Sequence, residues 1–355
     1  MAVTAGPIAI WALTSEGARL GRKLQQHFPN SRLFVGSKII EHENAHRFER
    51  LTEALPQQFA RFEGHVFIMA SGIVVRAVAT LLNHKTTDPA VVVVDECGRH
   101  AISLLSGHLG GANALTRRVA TCIGARPVIT TATDVRDVPA IDLIAQERGL
   151  VIENPAAIRL VSMALLEGRP VHLYDPQGWL AGSTIGEGFH AFSAIEPVDG
   201  GWPKGNAPGV WIDDIHIDLP DEILVLRPPS LFVGVGCNRN TPQEEILALL
   251  NQVMDDCRLA VASIAGLASI DLKADEEGLL ALAQTLARPL VFFSRDQLAA
   301  VREVPSPSEV VQKHVGVKSV CEAAALLASG NGTLIAPKRV TPNATIAIAR
   351  QSFTS

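Results

Sequence analysis

Two short, unbroken apolar runs restrict what this 355-residue chain can fold into. Residues Val66–Ala70 read VFIMA and residues Val91–Asp95 read VVVVD, without the polar alternation of a strand that faces water on one side. Strands of this kind are covered on both faces by helices, as in the parallel sheets of α/β proteins. Helical patterns over 71–82 and 113–122 accompany them, and Gly124 follows the second as a helix-ending glycine. The sequence therefore predicts an α/β fold.

A hairpin is predicted to interrupt the alternation of strands and helices in the first part of the chain. Residues Glu96–His100 read as a turn that leads into an apolar strand at Ala101–Leu105. A further strand is predicted at Pro127–Thr131, which closes the first domain near residue 132.

The whole chain is predicted to be three-lobed, because 355 residues exceed one ordinary core. An N-terminal α/β domain with a glycine-rich turn spans 1–132, and a smaller, partly irregular central region spans 133–229. A C-terminal α/β domain spans 230–355. Within the central region, the glycine-rich residues 178–209 are either a surface connector or a flap over a ligand.

The third domain carries local signals for helix starts and strands. Two capping boxes are predicted, Thr241–Glu244 with Pro242 at the first helical position and Ser319–Glu322. Helices are predicted in the central region at 139–148 and 155–166, with a strand at Val171–Tyr174. The strands predicted in the third domain are Leu231–Val235, 258–264, 289–293, 333–336 and 345–349.

Composition excludes several functional classes. The net charge is -5 and aromatic residues make up 5% of the chain, so a nucleic-acid partner is not expected. The five cysteines form no CxxC pair, which predicts a reduced compartment and no protein metal site. No apolar run approaches the roughly 20 residues of a membrane span, so no membrane partner is expected and the cytoplasm is the predicted location.

The segment Ser106–Asn113, which reads SGHLGGAN, lies between a predicted strand and a predicted helix. Its glycines let backbone amides approach a ligand closely, and amides at a helix start attract anions. A neutral His108 in this setting is a candidate general base, although a tight turn with His108 bonded to a carbonyl is the structural alternative. The predicted binding residues here are Ser106, Gly107, Gly110, Gly111 and Asn113.

A second glycine-rich segment, Gly234–Thr241, approximates a dinucleotide fingerprint and departs from it twice. Arg239 takes the place of the third glycine, and no acidic residue ends the next predicted strand. A carboxylate ligand suits an arginine beside helix-start amides better than a nicotinamide or flavin. Cys237 is either a nucleophile or a buried small residue. The predicted binding residues are Gly236, Cys237, Arg239, Lys273 and Lys318.

Smaller signals surround the buried strands of the first domain. Ser71–Arg76 repeats the pattern of a small-residue turn followed by a helical arginine, and hydroxyls close the strand at Thr130 and Thr131. Charged residues cluster around the strand that begins near Val91, where each alone is also explained as a turn or a solvated charge. The predicted binding residues here are Ser71, Gly72, Arg76, Lys85, Thr130 and Thr131, with Asp95 and Glu96 as catalytic candidates.

In combination, these motifs resemble the cobalt-precorrin-5A hydrolase family (CbiG type) of the anaerobic cobalamin pathway, over nearly the whole chain. Asn240, where the family motif often has glycine, is a small departure. The segments that carry the resemblance are Met69–Arg76, Lys85–Glu96, Ile102–Asn113, Pro127–Asp134, Gly234–Cys237 with Arg239 and Thr241, Ser269–Glu276, Gly316–Ala325 and Thr345–Ala349.

The resemblance implies a cobalt-corrinoid substrate with many carboxylate arms and a δ-lactone. The family opens the lactone and releases acetaldehyde to give cobalt-precorrin-5B. Cobalt arrives with the substrate, so no cofactor bound by the protein is expected, and transfer between neighbouring pathway enzymes is a possible partnership. The mechanism expected here has His108 activate water while amides of Gly107, Gly110 or Gly111 hold the oxyanion.

Three other functions remain open at this point. The first is a non-catalytic corrinoid carrier, which binds the intermediate and releases no acetaldehyde. The second is a pathway methyltransferase, against which the degraded fingerprint at 234–241 counts. The third makes the C-terminal lobe a modulatory module, because a smaller stand-alone protein of the aerobic pathway resembles it.

Overall fold

The computed structural model describes residues 6–39, 44–83, 87–136, 138–180, 192–194, 202, 205, 208–301, 305 and 319–352. Internal contacts divide the chain into two compact units, Met1–Glu147 and Arg148–Ser355. The first unit contains one sheet and the second contains two. Strands and helices interleave throughout, so the predicted three-lobed α/β architecture is confirmed, while the boundaries at 132 and 229 stay a prediction.

A seven-stranded sheet forms the first unit, in the order β3-β2-β1-β4-β5-β6-β7. Every neighbouring pair is parallel except β5 and β6, which form the predicted hairpin. Its strands are β1 Ile8–Ala12, β2 Ser31–Gly36, β3 His46–Phe48, β4 Gly64–Ile68, β5 Ala90–Val94, β6 His100–Leu105 and β7 Arg126–Val128.

Helices cover both faces of this sheet, as the unbroken apolar runs predict. Ile10 belongs to a buried cluster that contains Leu24 and Leu115, whereas Trp11 belongs to a second cluster on the other face. Gly124 ends the fourth helix with φ 75°, which confirms its predicted role. The helices are α1 Ser15–His27, α2 Leu51–Gln58, α3 Ser71–Val78, α4 Ala112–Ile123, α5 Ala132–Val135 and α6 Ile141–Glu147.

A neutral histidine is built into the second cluster. The Trp11 indole N–H donates to His65 Nδ1 at 3.0 Å, and His65 Nε2 lies 3.0 Å from the Phe59 carbonyl oxygen. Burial lowers the pKa of His65 to about 4, against the effect of the bond to Phe59. His65 is therefore an uncharged core residue that accepts the hydrogen bond of the buried indole N–H.

The chain path creates two different sheet edges. From β1 the chain passes through α1 to β2 on one side, and from β4 through α3 to β5 on the other, so the connections diverge between β1 and β4. We call the edge at the carboxyl ends of these strands the switch-point edge. Because β6 reverses direction, β6 and β7 end at the opposite edge, here called the turn edge.

The second unit contains two five-stranded sheets. The central sheet has the order β10-β9-β11-β12-β8 and the third sheet the order β15-β14-β13-β17-β16. The central strands are β8 Val151–Ile152, β9 Val171–Tyr174, β10 Phe192–Ala194, β11 Gly209–Ile212 and β12 Ile223–Arg227. The strands of the third sheet are β13 Leu231–Cys237, β14 Ile264–Ile270, β15 Leu290–Phe293, β16 Thr333–Val340 and β17 Ala344–Arg350.

Buried charges tie the two sheets of the second unit together. Asp214, which is fully buried, accepts from the Arg350 guanidinium at 2.5 and 2.7 Å and from the Ser230 hydroxyl at 2.6 Å. The guanidinium of Arg227, also buried, donates to the carbonyl oxygens of Asp213 and Ile215. Each buried charge thus has the partners that burial demands.

Five helices complete the described part of the second unit: α7 Ile158–Leu166, α8 Gln243–Asp256, α9 Glu277–Leu286, α10 Arg295–Ala299 and α11 Val320–Ala328. The strand predicted at 258–264 is wrong, because Val261–Ser263 form a 3₁₀ turn and β14 begins at Ile264. Most of the irregular stretch predicted at 178–209 lies outside the described residues. Within the described ranges, no helix combines the length and apolar character that crossing a bilayer requires.

Both predicted capping boxes are wrong. The Thr241 hydroxyl donates to the Asn238 carbonyl at 2.9 Å, and α8 begins without a side-chain cap. Ser319 precedes α11 without capping it, and Glu322, the other member of the box, is fully buried and accepts from the Lys338 amide at 3.0 Å. In the first box a nearby carbonyl takes the Thr241 hydroxyl, and in the second a strand distant in sequence takes the Glu322 carboxylate.

Candidate functional site

The predicted site residues of the first unit lie at both edges of its sheet. The switch-point edge carries Ser71, Gly72, Arg76, Asp95 and Glu96. The turn edge carries Ser106, Gly107, His108, Gly110, Gly111, Asn113, Thr130 and Thr131. Lys85 and Lys318 lie outside the described residues.

The reversal of β6 separates the predicted catalytic residues. Val91 pairs with Leu105, which ends β6 just before the turn of His108, whereas Asp95 follows β5 at its other end. Four residues of extended strand span roughly 13 Å. His108 therefore lies at a different edge of the sheet from Asp95 and Glu96, and the catalytic roles expected of these three residues stay predictions.

A cavity of about 490 Å³ opens at the switch-point edge. Ligands of open α/β sheets bind outside the carboxyl ends of the strands, where neighbouring connections diverge. The walls are mostly apolar, and the polar groups among them come from loops and from the start of α3. The lining residues are Leu13, Thr14, Ile68, Met69, Ala70, Ser71, Ile73, Val93, Asp95, Glu96 and Ile102.

The polar groups of this cavity are two carboxylates, two hydroxyls and helix-start amides. Glu96 accepts a hydrogen bond from the Thr14 hydroxyl. The residue that precedes α3 is Ala70, which has no side chain able to cap the helix. Across the described residues, the amides of Ser71 and Gly72 donate no hydrogen bond, so both remain available to an anion.

Asp95 lines the cavity, but its carboxylate is engaged by the hairpin turn. Its carboxylate accepts from the backbone amides of Cys97 at 3.0 Å and His100 at 2.5 Å. Burial acts to raise the pKa of Asp95, but these amide hydrogen bonds outweigh it and the pKa is lowered. Since both oxygens hold the turn, Glu96 is the carboxylate with capacity for chemistry.

The glycine-rich turn is closed by its own backbone. Ser106 has φ 58° and Gly111 has φ 82°, both in the left-handed region. The amide of Gly111 donates to the His108 carbonyl at 2.7 Å, and the amide of Asn113 donates to the Gly107 carbonyl at 3.0 Å. The expected contribution of the Gly111 amide to an oxyanion site is therefore wrong, because that amide is already bonded.

Packing accounts for the other two glycines of the turn. A Cβ atom on Gly107 would lie 2.9 Å from Asn113 Oδ1. A Cβ atom on Gly110 would lie 2.3 Å from the Cβ of Ser106 and 3.1 Å from the Asp88 carbonyl oxygen. Close approach within the protein therefore requires both glycines, whether or not a ligand binds.

His108 lies between two carboxylates. Its Nε2 is 3.4 Å from Asp134 and 3.0 Å from the Thr133 hydroxyl, and its Nδ1 is 3.5 Å from Asp142. Hydrogen bonds to Asp134 and then Asp142 raise the pKa of His108 to about 9, against the effect of burial. Both ring nitrogens face carboxylates, which favours a protonated ring over the neutral general base, so the role of His108 as a base stays a prediction.

A polar network extends from this histidine across the turn edge. Asn113 accepts from the Ser103 hydroxyl at 2.7 Å and donates to Thr131 at 3.0 Å and to Asp134 at 2.8 Å. Arg117 donates to the other oxygen of Asp134 at 2.7 Å. Hydrogen bonding, first of all to the histidine ring, lowers the pKa of Asp134. Asn113 and Thr131 are thus brought together, as members of an internal network.

Sequence reasoning missed Asp142 and Thr14. Asp142 lies on α6, which belongs to the first unit by its contacts. Only the tertiary fold brings Asp142 close to His108. Thr14 follows β1 and precedes α1, a signal typical of a helix cap. A polar residue just after a central strand also marks the sheet edge where ligands bind, so the sequence could have indicated Thr14 as a site residue.

The predicted carboxylate site of the third lobe is occupied by the protein's own acids. Arg239 donates to Asp275 at 2.5 Å, and Lys273 donates to Glu276 at 3.3 Å. Burial raises the pKa of the Cys237 thiol, which favours the buried-residue interpretation over a nucleophile. Over the ranges that the structure describes, no group of three His, Cys, Asp or Glu side chains has a geometry that holds a metal ion.

The glycines of the third-lobe motif are explained by packing as well. A Cβ atom on Gly234 would lie 1.8 Å from the Cys321 carbonyl oxygen, so α11 lies directly on β13. A Cβ atom on Gly236 would lie 2.6 Å from the Thr345 hydroxyl oxygen. The partial fingerprint therefore reflects contact between a helix and a sheet, with no nucleotide needed to explain it.

Three family models match successive parts of the chain. The cobalamin synthesis G N-terminal model matches residues 53–134, and the cobalamin biosynthesis central region matches 139–228. The cobalamin synthesis G C-terminus matches 231–349. The three matches follow one another along the chain in the order of the three sheets.

Curated relatives are similar to this chain over nearly its whole length. A protein of Priestia megaterium named cobalt-precorrin-5A hydrolase is 33% identical, over 97% of this chain and 95% of the relative. A protein of the same name from Salmonella typhimurium is 35% identical, over 91% and 92% respectively. Protein CobE of Sinorhizobium is 38% identical over 34% of this chain and 79% of its own length. The chain therefore belongs to the cobalt-precorrin-5A hydrolase family, and the resemblance noted in its sequence is confirmed.

Proposed function

We propose that this chain hydrolyses cobalt-precorrin-5A, opening its δ-lactone and releasing acetaldehyde to leave cobalt-precorrin-5B. The observation that carries this function is identity of 33% and 35% over nearly the full length of two proteins of that name. A shared length of this extent favours the hydrolase over a non-catalytic corrinoid carrier. The cobalt belongs to the substrate in this proposal, and the protein supplies no cofactor of its own.

The switch-point cavity is the proposed site for the reacting edge of the macrocycle. Ile68, Ile73 and Val93 give it apolar walls, which suit a conjugated ring. Ile73 is 43% exposed, so the wall continues onto the open surface of α3, where a large flat substrate can rest. Transfer from neighbouring pathway enzymes and a cytoplasmic location stay predictions.

In the first step, Glu96 accepts a proton from water while the water oxygen bonds to the lactone carbonyl carbon. The charge that develops on the carbonyl oxygen is stabilised by the unbonded amides of Ser71 and Gly72 at the start of α3. Collapse of this intermediate breaks the ring C–O bond and leaves a hydroxyl group and a carboxylic acid, which ionises to a carboxylate and releases one proton to solvent. Protonated Glu96 returns its proton to the departing oxygen.

In the second step, Glu96 removes the hydroxyl proton and the carbon–carbon bond to the macrocycle breaks. The hydroxyl-bearing carbon leaves as acetaldehyde, and the bonding electron pair passes to the conjugated, cobalt-bearing macrocycle with one proton. One water is consumed in total, and oxygen and hydrogen balance without an added oxidant or reductant. His108 takes no proton in either step, because both ring nitrogens face carboxylates of the protein.

The test is anaerobic turnover of the cobalt-bound lactone, with acetaldehyde trapped and the macrocycle followed by mass. We expect Glu96→Gln to lower kcat by about 100-fold or more, the usual effect of removing a general base. Glu53→Gln is the matched control, because Glu53 is an exposed helix carboxylate of the same unit that pairs only with Arg50. Folded His108→Gln is expected to stay within about tenfold of the unsubstituted protein.

Three outcomes would overturn all or part of this proposal. Normal turnover by Glu96→Gln would remove the base from the switch-point edge. Loss of turnover in a fully folded His108→Gln, with Glu96→Gln active, would move the chemistry to the turn edge. If the unsubstituted protein bound the substrate but released no acetaldehyde, the result would support the non-catalytic carrier instead.

A further inference from the structure

Thr14 occupies a special place at the switch-point edge. It lies two residues after the end of β1 and lines the cavity together with Glu96, yet it belongs to none of the sequence motifs. Its side chain makes two hydrogen bonds of opposite sense. The hydroxyl accepts from the amide of Gly17 at 3.1 Å and donates to Glu96 Oε1.

The first of these bonds fixes the direction of the second. Thr14 is the N-cap of α1, with φ -129° and ψ 161°, so its oxygen must accept from the helix amide. A hydroxyl has a single proton, and in this arrangement that proton points to the carboxylate. α1 thereby holds a directed donor against one oxygen of Glu96.

The remaining oxygen of Glu96 is left for the substrate. Across the described part of the chain, Glu96 Oε2 makes no hydrogen bond, whereas Oε1 is held by Thr14. Glu96 lies in the exposed hairpin turn after β5, where a long side chain has several rotamers to choose from. An anchor on Oε1 restricts these rotamers and leaves Oε2 unbonded on a residue that lines the cavity.

We propose that Thr14 is the positioning residue for the catalytic carboxylate of Glu96, a role that rests on the proposed function. The helix cap and the carboxylate anchor are one hydroxyl, so the register of α1 sets the position of the base. Misplacement of a catalytic group by about 1 Å costs up to about 100-fold in rate. The loss is expected in kcat, because the substrate still meets the apolar walls.

Substitutions at Thr14 separate this role from that of a simple helix cap. Thr14→Ser keeps both hydrogen bonds and Thr14→Val removes both. Thr14→Asp keeps the cap and replaces the donor with a carboxylate that repels Glu96. We expect kcat of Thr14→Ser within about threefold of normal, and kcat of Thr14→Asp and Thr14→Val at least about tenfold lower, with KM within about threefold.

Stability gives the second measurement. Thr14→Val is expected to lower the Tm by about 2–4 °C, while Thr14→Asp holds it. Ser294→Ala is the matched control, because it removes the cap of α10 in the other unit and is expected to leave kcat unchanged. If Thr14→Val fails to fold, Thr14→Asp still tests the proposal.

The outcomes distinguish this inference from the proposed function. Normal kcat in Thr14→Asp, with Glu96→Gln inactive, would leave Glu96 as the base and overturn the positioning role alone. Activity in Glu96→Gln would overturn the proposed base and this inference with it. Equal losses of kcat in Thr14→Ser and Thr14→Val would also overturn the positioning role, because the serine hydroxyl would then have failed to preserve kcat.

Discussion

The charge of His108 is expected to control the stability of the first unit at alkaline pH. Its pKa is raised to about 9 in the folded protein by hydrogen bonds to Asp134 and Asp142, and the ordinary value is 6.5. Because folding raises this pKa, the protonated ring stabilises the folded state in full below about pH 6.5. This stabilisation is lost as the pH rises through about 9. At about 1.36 kcal/mol per pKa unit, the difference between the two pKa values corresponds to about 3.4 kcal/mol of folding free energy. Because 24% of the side chain is exposed, we expect about 2–3 kcal/mol after solvent screening.

The change that tests this is His108→Gln, which keeps a polar side chain and removes the charge. Hydrogen exchange of the α4 amides, corrected for intrinsic rates, reports the local free energy of opening at pH 6, 8 and 10. The deficit of the variant is expected to be largest at pH 6 and to shrink toward pH 10. His100→Gln is the control, because His100 and Asp95 are exposed and their pairing contributes little. A deficit of equal size at pH 6 and pH 10 would refute the role of the imidazolium.

Three further predictions concern packing, buried charge and the cavity. Gly234→Ala is expected to cost more than about 3 kcal/mol in urea unfolding, because its Cβ would overlap a carbonyl of α11, whereas Gly266→Ala meets its nearest atom at 3.4 Å and should cost about 1 kcal/mol or less. Asp214→Ala is expected to cost about 3–5 kcal/mol in the same assay and to be less than additive with Arg350→Ala, since both remove one buried pair. Ile73→Glu is expected to raise KM by about tenfold with an unchanged Tm, because Ile73 lines the cavity and is already 43% exposed.

The fold was predictable where the signal is local. The run at Val91–Asp95 has the composition of a strand buried on both faces, and β5 is fully buried. The turn at Glu96–His100 and the ending of α4 at Gly124 also depend on neighbouring residues alone. The predicted capping boxes failed partly because distant residues compete for their side chains: the Asn343 carbonyl lies 3.3 Å from the Thr241 hydroxyl, and the Lys338 amide donates to Glu322.

The candidate site was predictable only in part. Glu96 and Ser71 do line one cavity, but the sequence does not reveal that the hairpin carries His108 to the other edge. Asp142 reaches His108 only after α6 packs on the first unit, so no local spacing marks the pair. Glycine richness was the least informative signal, because close contacts inside the protein and approach to a ligand both demand it. Gly107 illustrates this, since its Cβ would meet Asn113 at 2.9 Å.

The reversal of β6 also bears on the order in which the first unit folds. Val94 pairs with Ala101 across a short turn, whereas Ile10 pairs with Val66 only after a loop of several tens of residues has closed. Closing a longer loop costs about 0.6 kcal/mol for each doubling of its length, before any contact repays the cost. The hairpin of β5 and β6 is therefore the contact of lowest entropic cost in the sheet, and we expect nucleation there. The parallel strands at the centre would then join last, so the cavity between β1 and β4 would be the final part of the unit to form.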